Sequence, residues 1–246
     1  MSAAPQGRVA ALWRYPVSSM GGERLERMEL LASGVLGDRT HGVFHAETGE
    51  IARPGRMRQW MALPRASARC AAEGEVEVEV SVDGQDWHGS GSLGPLSDLY
   101  GFPASIRRYA APGEEGPASR YAHAPIHLLT TSALRTLQAA IPGSVLDERR
   151  FRPNILLDTP QDMGGIPEYG WIGREFRIGG AVLRGTIPCV RCAFTTLAQP
   201  GLPDDREVLR ALMQGFDQNL GLYCEVVRPG PILPGDSVAL PEAAVA

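Results

Sequence analysis

Alternating polar and apolar positions recur along this chain and predict β-strands. The clearest case is EGEVEVEVSVDG at 73–84, where glutamate and valine alternate, so that each residue type occupies one face of a strand. Asp83 and Gly84 form a favourable turn dipeptide after it. Residues 7–17 (GRVAALWRYPV) predict a first strand, and a further strand is expected near His41–Phe44.

Helical spacing of apolar residues is found in fewer segments. Residues 127–142 (HLLTTSALRTLQAAIP) place a Ser/Thr cluster ahead of a periodic run that ends at Pro-Gly, which predicts a capped helix. Residues 205–214 predict a second helix, because an Asp-Asp cap precedes apolar side chains at helical spacing. A short helical patch is expected around 95–100. Other apolar runs predict strands at 154–158, 175–187, 192–197, 220–227 and 236–240.

These elements predict a mainly β (α+β) fold with two β-rich halves. A chain of 246 residues is long enough for one large domain or two small ones. The best linker candidate is APGEEGPASR at 111–120, so the two halves are expected to join near residue 115.

The basic residues restrict the possible chemistry. All 24 are arginines, and the sequence contains no lysine. A Schiff-base enzyme needs a lysine amine, and so does the usual phosphate-binding P-loop. Covalent pyridoxal phosphate chemistry is therefore excluded for this chain.

The overall charge argues against two classes of partner. A formal net charge of −4 disfavours general binding to nucleic acid or to anionic membranes, since both need a basic surplus. The sequence has no apolar run of the roughly 20 residues that cross a bilayer, and its start lacks a signal-peptide stretch. We expect a cytoplasmic protein with no nucleic-acid and no membrane partner.

The pair Cys189 and Cys192, in TIPCVRCAFTT, is the first candidate site. Structural zinc needs further ligands, but the histidines are scattered at 41, 45, 88, 123 and 127. A thioredoxin-like redox pair should open a helix, whereas CAFTT favours a strand. Two buried cysteines on a strand are the plain alternative. Arg191 favours thiolate over thiol in its neighbours, which indicates a soft anionic ligand or nucleophile.

Arginines also crowd the segment DERRFRPNILLD, where Arg149, Arg150 and Arg152 precede a strand and Asn154 follows. This segment is either a solvated loop or an anion site, because a guanidinium binds phosphate through two parallel hydrogen bonds. A third candidate combines RYPVSSMGG at 14–22 with a turn that carries Arg39. It is either a plain loop or a backbone nest for an anion.

Taken together, the motifs resemble one family. Their order is YPV-x-S, GDR, RFRPNI, W-x-G, PCxRC-x-x-T, N-x-G-x-Y and G-x-I-x-x-GD-x-V, over the span Arg8 to Leu240. This order resembles the molybdenum cofactor sulfurase C-terminal (MOSC) domain family, in the branch with an N-terminal β-barrel domain. That branch includes the mitochondrial amidoxime-reducing component and YcbX-type bacterial proteins. The combination of RFRPN with PCxRC is specific.

The resemblance implies both a fold and a cofactor. It implies an N-terminal β-barrel-like domain at 7–115 and a MOSC β-barrel domain with a few helices at 116–242. The cofactor groove is implied to lie between them, where binding sites commonly occur. The implied cofactor is the molybdenum cofactor, a molybdopterin that carries molybdenum.

The resemblance also implies the site residues. The catalytic residue and protein ligand of molybdenum is implied to be Cys192, with Cys189 as the alternative. The other implied cofactor contacts are Val190 and Arg191 at the pterin and dithiolene, Arg152 and Asn154, Thr131 and Ser132 near the pterin, and Ser19, Arg39 and Arg53 at the terminal phosphate. The family usually has lysine where this chain has Ser18. The site therefore either depends more on Arg39 and Arg53 or holds phosphate less tightly.

The implied function is reduction of N-oxygenated compounds, such as hydroxylamines, amidoximes and N-hydroxylated bases. An external donor of the ferredoxin, flavin or cytochrome-reductase type is expected, since the sequence has no dinucleotide fingerprint and no iron–sulfur pattern. One alternative is a sulfur carrier or cofactor-binding module with a persulfide on Cys192 or Cys189. Another is a pathway-specific enzyme on the same scaffold. His123 and His127 stay unassigned: they flank the Thr/Ser segment and either approach the cofactor edge or, as is favoured, have packing or surface roles.

Overall fold

The chain folds mainly into β-structure with a few helices, which confirms the predicted fold class. The computed structural model describes residues 7–71, 77–91, 94–110, 114–117 and 125–239. The strands are β1 Arg8–Arg14, β2 Glu23–Leu25, β3 Met28–Leu31, β4 Gly34–Val35, β5 His41–His45, β6 Ala66–Cys70, β7 Val78–Val82, β8 His88–Gly89, β9 Ala104–Arg108, β10 Ile126–Thr130, β11 Ile155–Asp158, β12 Glu175–Ile178, β13 Ala181–Val190, β14 Asn219–Arg228, β15 Gly230–Ile232 and β16 Val238–Ala239. The helices are α1 Gly94–Tyr100, α2 Thr131–Ala140 and α3 Arg206–Gly215, with 3₁₀ turns at Arg58–Trp60, Leu63–Arg65, Glu148–Arg150, Pro167–Trp171 and Ala193–Thr196.

An eight-stranded sheet in the order β16-β12-β13-β14-β10-β11-β1-β2 forms the larger part of the molecule. Only β10 and β11 run parallel among these neighbours. Backbone hydrogen bonds also join the start of β1 to the turn before β16, from Val9 N to Asp236 O at 2.9 Å and from Val238 N to Gly7 O at 3.0 Å. The sheet therefore curls until the start of β1 meets the chain beside β16, with β2 on the other edge of β1.

The interior of this curled sheet is the main hydrophobic core. Its members come from strands far apart in sequence, and Leu12, Leu128, Ile155, Leu183 and Leu222 are all fully buried. Removal of such side chains from water makes the largest favourable contribution to the stability of a fold of this kind.

A second core belongs to the N-terminal part of the chain. Here β5 pairs with β9, and β6, β7 and β8 form a small sheet. Trp60 is fully buried and makes edge contacts with the rings of Tyr100 and Phe102. The earlier strands β1 and β3 instead pair with β11 and β15 of the C-terminal part. The domain boundary near residue 115 stays a prediction.

Helices α2 and α3 pack on one another and on the outer face of the large sheet. Thr130 caps α2 through its hydroxyl, which accepts a hydrogen bond from Ala133 N at 3.1 Å. Asp205 caps α3 in the same way, and Leu137 and Leu212 are fully buried between the two helices and the sheet.

The helix predicted at 127–142 is confirmed for Thr131–Ala140 but not for its first residues, and the strand predicted at 192–197 is wrong. Residues 127–130 belong to β10 rather than to the helix, because β10 lies between β11 and β14 and is buried on both faces. Residues 193–196 form a 3₁₀ turn rather than a strand. The hydroxyls of Thr195 and Thr196 bond back to the carbonyls of Cys192 and Ala193, which favours a tight turn over a strand ladder.

The strand predicted at 175–187 is instead two antiparallel strands, β12 and β13, separated by Gly179 and Gly180. Several other predicted elements are confirmed within the described residues. The alternating segment forms β7, and Asp83 and Gly84 follow it with φ of 51° and 74°, as a tight hairpin turn requires. Residues 73–76, 111–113, 118–120, His123 and 240–242 lie outside the described part. No helix in the described part is both long and apolar enough to cross a membrane.

Candidate functional site

A cavity of about 480 Å³ lies where loops of the N-terminal part face the C-terminal sheet. Its lining contains seven of the residues that the sequence indicated: Ser19, Arg39, Arg53, Arg152, Val190, Arg191 and Cys192. The other lining residues are Pro54, Gly55, Arg56, His127, Phe151, Phe194 and Tyr223. The cavity thus brings together the Ser-Ser turn, the GDR turn, the RFRPN segment and the C-x-R-C loop.

Arg39 and Arg152 form the cationic wall of this cavity. Arg39 is buried, and its guanidinium donates to Arg152 O at 3.1 Å and pairs with Asp38. Arg152 is equally buried and donates to Val17 O at 3.4 Å. The two guanidinium groups carry two positive charges against the one negative charge of Asp38, and this local positive excess suits an anionic ligand.

Asn154 stands behind this wall rather than in the cavity. Its side-chain oxygen accepts from Arg39 at 3.0 Å and from His127 N at 3.1 Å, and its amide donates to Trp13 O at 3.3 Å. Asn154 is fully buried. It therefore orients Arg39 and does not line the site itself.

Three residues of the cavity have left-handed backbone conformations. The φ angles are 66° at Ser19, 50° at Arg39 and 56° at Arg152. Non-glycine residues adopt such angles at a cost of order 1–3 kcal/mol and tend to do so at functional sites. The strain directs these side chains into the cavity from three separate turns.

Tyr15 fills the space beneath the two arginines. The guanidinium of Arg152 lies 4.2 Å from the centre of its ring, and that of Arg39 lies 5.3 Å away. Burial raises the pKa of Tyr15, although both guanidinium groups act to lower it. The ring thus stays neutral and provides a π-face for both cations.

The C-x-R-C loop places its two sulfurs in different environments. Its first two residues end β13, whose pairing with β14 is irregular around Pro188, a residue that cannot donate to the ladder. Cys189 is fully buried, whereas Cys192 is exposed and lines the cavity. Both are free thiols, and the described residues contain no group of three His, Cys, Asp or Glu side chains suited to a metal ion.

Arg191 lies between the two cysteines and contacts Cys189 directly. Its guanidinium donates to Cys189 Sγ and to Phe151 O, each at 2.7 Å. Burial alone would lower the pKa of Arg191, but the facing sulfur of Cys189, then Tyr223 and Cys192, raise it. The buried Arg191 cation is therefore fixed beside the sulfur pair.

Backbone contacts hold this loop in place. Arg191 N donates to Gln218 O at 2.8 Å, and the Gln218 amide returns a bond to Arg191 O at 2.7 Å. Arg150 is fully buried and donates to Val145 O, Thr195 O and Pro203 O. Arg150 thereby connects the segment before β11 to the turn after Cys192.

The remaining arginines and polar residues have other places. Arg149 pairs with Asp147 and donates to Pro200 O at 3.1 Å, so that Arg152 alone of the three crowded arginines lines the cavity. Thr131 and Ser132 lie at the start of α2 and outside the cavity lining, and the Ser132 hydroxyl donates to Met163 O at 2.7 Å. Their role with a cofactor stays a prediction.

Sequence reasoning gave several lining residues no definite role. His127, left unassigned, lies on β10 with its ring Nδ1 3.3 Å from Arg152 O. Burial, and secondarily the charge of Arg191, lowers its pKa well below the ordinary value, so His127 is neutral at pH 7. A Cβ on Gly221 would lie 2.3 Å from its Nε2, so the close approach of β14 requires glycine there. Ser18 is buried and lies outside the cavity lining.

The fold and the cavity together describe a mainly β protein with a positively charged binding cavity. One exposed thiol, that of Cys192, lines this cavity. The sequence matches the model of the MOSC domain over residues 94–239 and that of the MOSC N-terminal beta barrel domain over residues 6–88. The chain belongs to the MOSC domain family, as its motifs predicted. No curated protein sequence matches it significantly.

One solved structure supports the fold, and two others are similar at lower scores. The YUAD protein from Bacillus subtilis is similar with a TM-score of 0.51 and 11% identity, over 95% of this chain and 94% of that one. YiiM from Escherichia coli has a TM-score of 0.43 and 12% identity, over 97% of this chain and 72% of that one. YiiM from Geobacillus stearothermophilus has a TM-score of 0.36 and 21% identity, over 50% and 56%. The YUAD likeness concerns the fold alone.

Proposed function

We propose that this protein binds the molybdenum cofactor and reduces N-oxygenated compounds such as hydroxylamines, amidoximes and N-hydroxylated bases. The observation that carries the proposal is the exposed Cys192 thiol in one cavity with Arg39 and Arg152. Membership of the MOSC family and the C-x-R-C and RPN motifs support it.

The donor set fits the two ends of that cofactor. Its metal end is soft and takes a thiolate ligand, which Cys192 offers from an exposed position. Its other end carries a phosphate, which suits the guanidinium groups of Arg39 and Arg152 and the hydroxyl of Ser19. The volume of about 480 Å³ lies in the range of pockets for small ligands.

The residues around Cys192 position it and exclude water behind it. Arg191 holds the backbone of the loop against Gln218 and places a fixed cation beside the sulfurs. Phe151 and Phe194 line the inner side of the cavity as apolar surface. Because His127 is neutral, the positive charge of this wall comes from the arginines.

When bound, the cofactor supplies two-electron redox chemistry. Two electrons and two protons convert an N–OH group into N–H and release water. The electrons are expected from an external ferredoxin-, flavin- or cytochrome-type reductase, and we place the reaction in the cytoplasm. The alternative site ligand is Cys189, but its sulfur is fully buried and accepts a hydrogen bond from Arg191.

The test is expression in a host that makes the molybdenum cofactor, followed by metal analysis and pterin fluorescence. The native protein should hold nearly one molybdenum and one pterin per chain. Cys192→Ala should lose the metal, and Cys189→Ala should retain more of it. Cys70→Ala, in β6 and away from the cavity, is the matched control. The assignment fails if Cys192→Ala loads as well as this control.

Activity is tested with benzamidoxime and hydroxylaminopurine and a chemically reduced dye. Turnover that depends on Cys192 supports the reductase. A loaded protein inactive on both compounds would instead favour a pathway-specific enzyme on this scaffold. A mass increase of 32 Da on Cys192, without molybdenum, would favour the sulfur carrier, whose persulfide also requires an exposed thiol.

A further inference from the structure

A second groove, of about 670 Å³, opens beside the cavity. It runs between the segment that follows β5 and helix α3. Its lining residues are Pro54, Gly55, Arg56, Met57, Arg58, Met61, Ala193, Thr196, Leu197, Arg206, Leu209, Arg210, Met213 and Gln214. No motif of the sequence indicated this groove.

Helix α3 presents two apolar faces, and core packing accounts for one of them. Val208 and Leu212 are fully buried against the sheet. Leu209 and Met213 lie on another face and line the groove, and Met213 is 61% exposed. An exposed apolar face beside a cavity is a usual feature of a binding surface.

The floor of the groove is unusually rich in methionine. Of seven methionines in the chain, the groove holds Met57, Met61 and Met213. Flexible thioether side chains adapt to ligands of varied shape, whereas well-packed cores use them sparingly. The floor thus suits an apolar ligand body without a fixed outline.

The rim of the groove is positive although the whole chain is acidic. Arg56, Arg58, Arg206 and Arg210 line it, and the net charge of the chain is −4. Arg210 pairs with Glu207. Within the described residues, the other three arginines form no ion pair. An apolar floor under a positive rim is complementary to an organic anion with an apolar body.

The groove adjoins the cavity of Cys192. Pro54, Gly55 and Arg56 line both, and Ala193, next to Cys192 in sequence, lines the groove. A Cβ at Gly55 would lie 3.3 Å from Cys192 Sγ, so the shared wall is thin at this point.

We propose that the groove is the substrate subsite and that it takes an elongated organic anion. The apolar body of this molecule lies on the methionines and Leu209, its carboxylate meets the arginine rim, and its other end points past Gly55 toward the cavity of Cys192. The identity of this ligand as substrate rests on the proposed function, whereas its binding does not.

Binding is tested on the protein without cofactor, with 11-(dansylamino)undecanoate as the probe and its methyl ester and dansylcadaverine as neutral and cationic comparisons. With ¹³C-methyl methionine labels, the signals of Met57, Met61 and Met213 should shift. Those of Met20 and Met28, both fully buried elsewhere, serve as internal controls. Shifts confined to the controls, or equal affinity for the cationic probe, overturn the proposal.

The rim is tested by the double variant Arg58→Gln with Arg206→Gln. Affinity for the carboxylate should fall about tenfold, while that for the ester stays nearly unchanged. Arg177→Gln, an exposed arginine on β12, is the control for loss of charge. The proposal fails if this control has the same effect as the groove variant.

The two proposals separate cleanly in these measurements. If the protein binds the anion at the three methionines but never loads molybdenum, the groove proposal holds and the reductase proposal fails. The protein could instead load molybdenum and be active, while the anionic probe neither shifts the NMR signals of those methionines nor inhibits turnover. In that case the reductase proposal holds and the groove proposal fails.

Discussion

The guanidinium of Arg39 donates a hydrogen bond of 3.0 Å to the side-chain oxygen of Asn154, 115 positions further along the chain. The same oxygen accepts the backbone N–H of His127, and the amide nitrogen donates to Trp13 O. One buried amide thus ties the GDR turn to strands β1, β10 and β11. The orientation of the cationic wall depends on this contact.

Substitution Asn154→Ala should lower both stability and cofactor retention. Two buried donors lose their acceptor, which costs about 1–3 kcal/mol of unfolding free energy. Arg39 also loses the contact that directs it, so molybdenum content after expression in a competent host should fall. Urea unfolding and metal analysis measure the two effects. Gln138→Ala, at the end of α2, is the control. If Asn154→Ala retains the full cofactor content, the role of Asn154 is structural only.

Arg150 should matter for stability far more than its neighbour Arg149. Arg150→Met removes three hydrogen bonds from a fully buried guanidinium to carbonyl oxygens, of which the bond to Thr195 O is buried, at a cost of about 3 kcal/mol. Arg149→Met removes a partly exposed ion pair with Asp147 and should cost less than about 1 kcal/mol. Chemical denaturation of both variants checks the difference. Equal effects would show that the Arg150 contacts contribute little.

Glu168 should make the protein less stable as pH rises. Burial raises the pKa of this carboxyl to about 7, although bonds from Thr130 act to lower it. The folded state therefore holds a proton that the unfolded state releases near its ordinary pKa of 4.5. Unfolding free energy should fall between about pH 4.5 and about pH 7, by an amount of order 3 kcal/mol.

Glu168→Gln should remove this part of the pH dependence, since the amide keeps the size of the side chain and does not titrate. Urea unfolding of both proteins at about pH 5 and about pH 8 provides the measurement. Glu47→Gln, at an exposed position, should behave as the native protein does. If the unfolding free energies of Glu168→Gln and the native chain changed equally with pH, Glu168 would not be the source of this pH dependence.

Alkylation should separate the four cysteines by exposure. Iodoacetamide should modify Cys192 first, because it is the exposed thiol, and should leave Cys70, Cys189 and Cys224 intact in the folded protein. Burial also raises the pKa of Cys70 and of Cys224, which slows them further. Peptide mass mapping over time provides the readout. Early modification of Cys189 would show that Cys189, and not only Cys192, is accessible from the cavity, which contradicts the prediction.

Gly55→Val should restrict access to Cys192. A side chain here would meet Cys192 Sγ at 3.3 Å and the backbone of Phe194 at 3.4 Å. The rate of Cys192 alkylation should fall about tenfold or more, with little change in fold. Gly143→Val is the matched control, since nothing lies within 4 Å of its Cβ position. An unchanged rate in Gly55→Val would show that the thiol is approached from elsewhere.

Local pattern predicted much of the fold, and it failed where tertiary context overrides it. The acid–valine alternation of β7 and the Asp-capped helix α3 follow from neighbouring residues alone. The β10 segment does not, because its apolar run is compatible with helix or strand until β11 and β14 bury it on both sides.

The site followed from sequence where a motif carries its own chemistry. The C-x-R-C and RPN motifs indicated Cys192, Arg191 and Arg152, all of which line the cavity. The lining residues His127 and Tyr223 carry no such signal, since only the pairing of β10 with β14 brings them together. The groove beside α3 could not be predicted from the sequence, because in an isolated helix Leu209 and Met213 have the spacing of core positions.

The place of β1 in the large sheet has a consequence for how this polypeptide can be made. Strand β1 can pair with β2 as soon as both are synthesised, but its partner strand Ile155–Asp158 and the turn at 235–238 follow much later in the chain. A gene divided between the two family regions would leave β11 with a bare edge, open to pairing with other molecules. The two regions are thus one translational unit, and neither half is a suitable module for transplantation on its own.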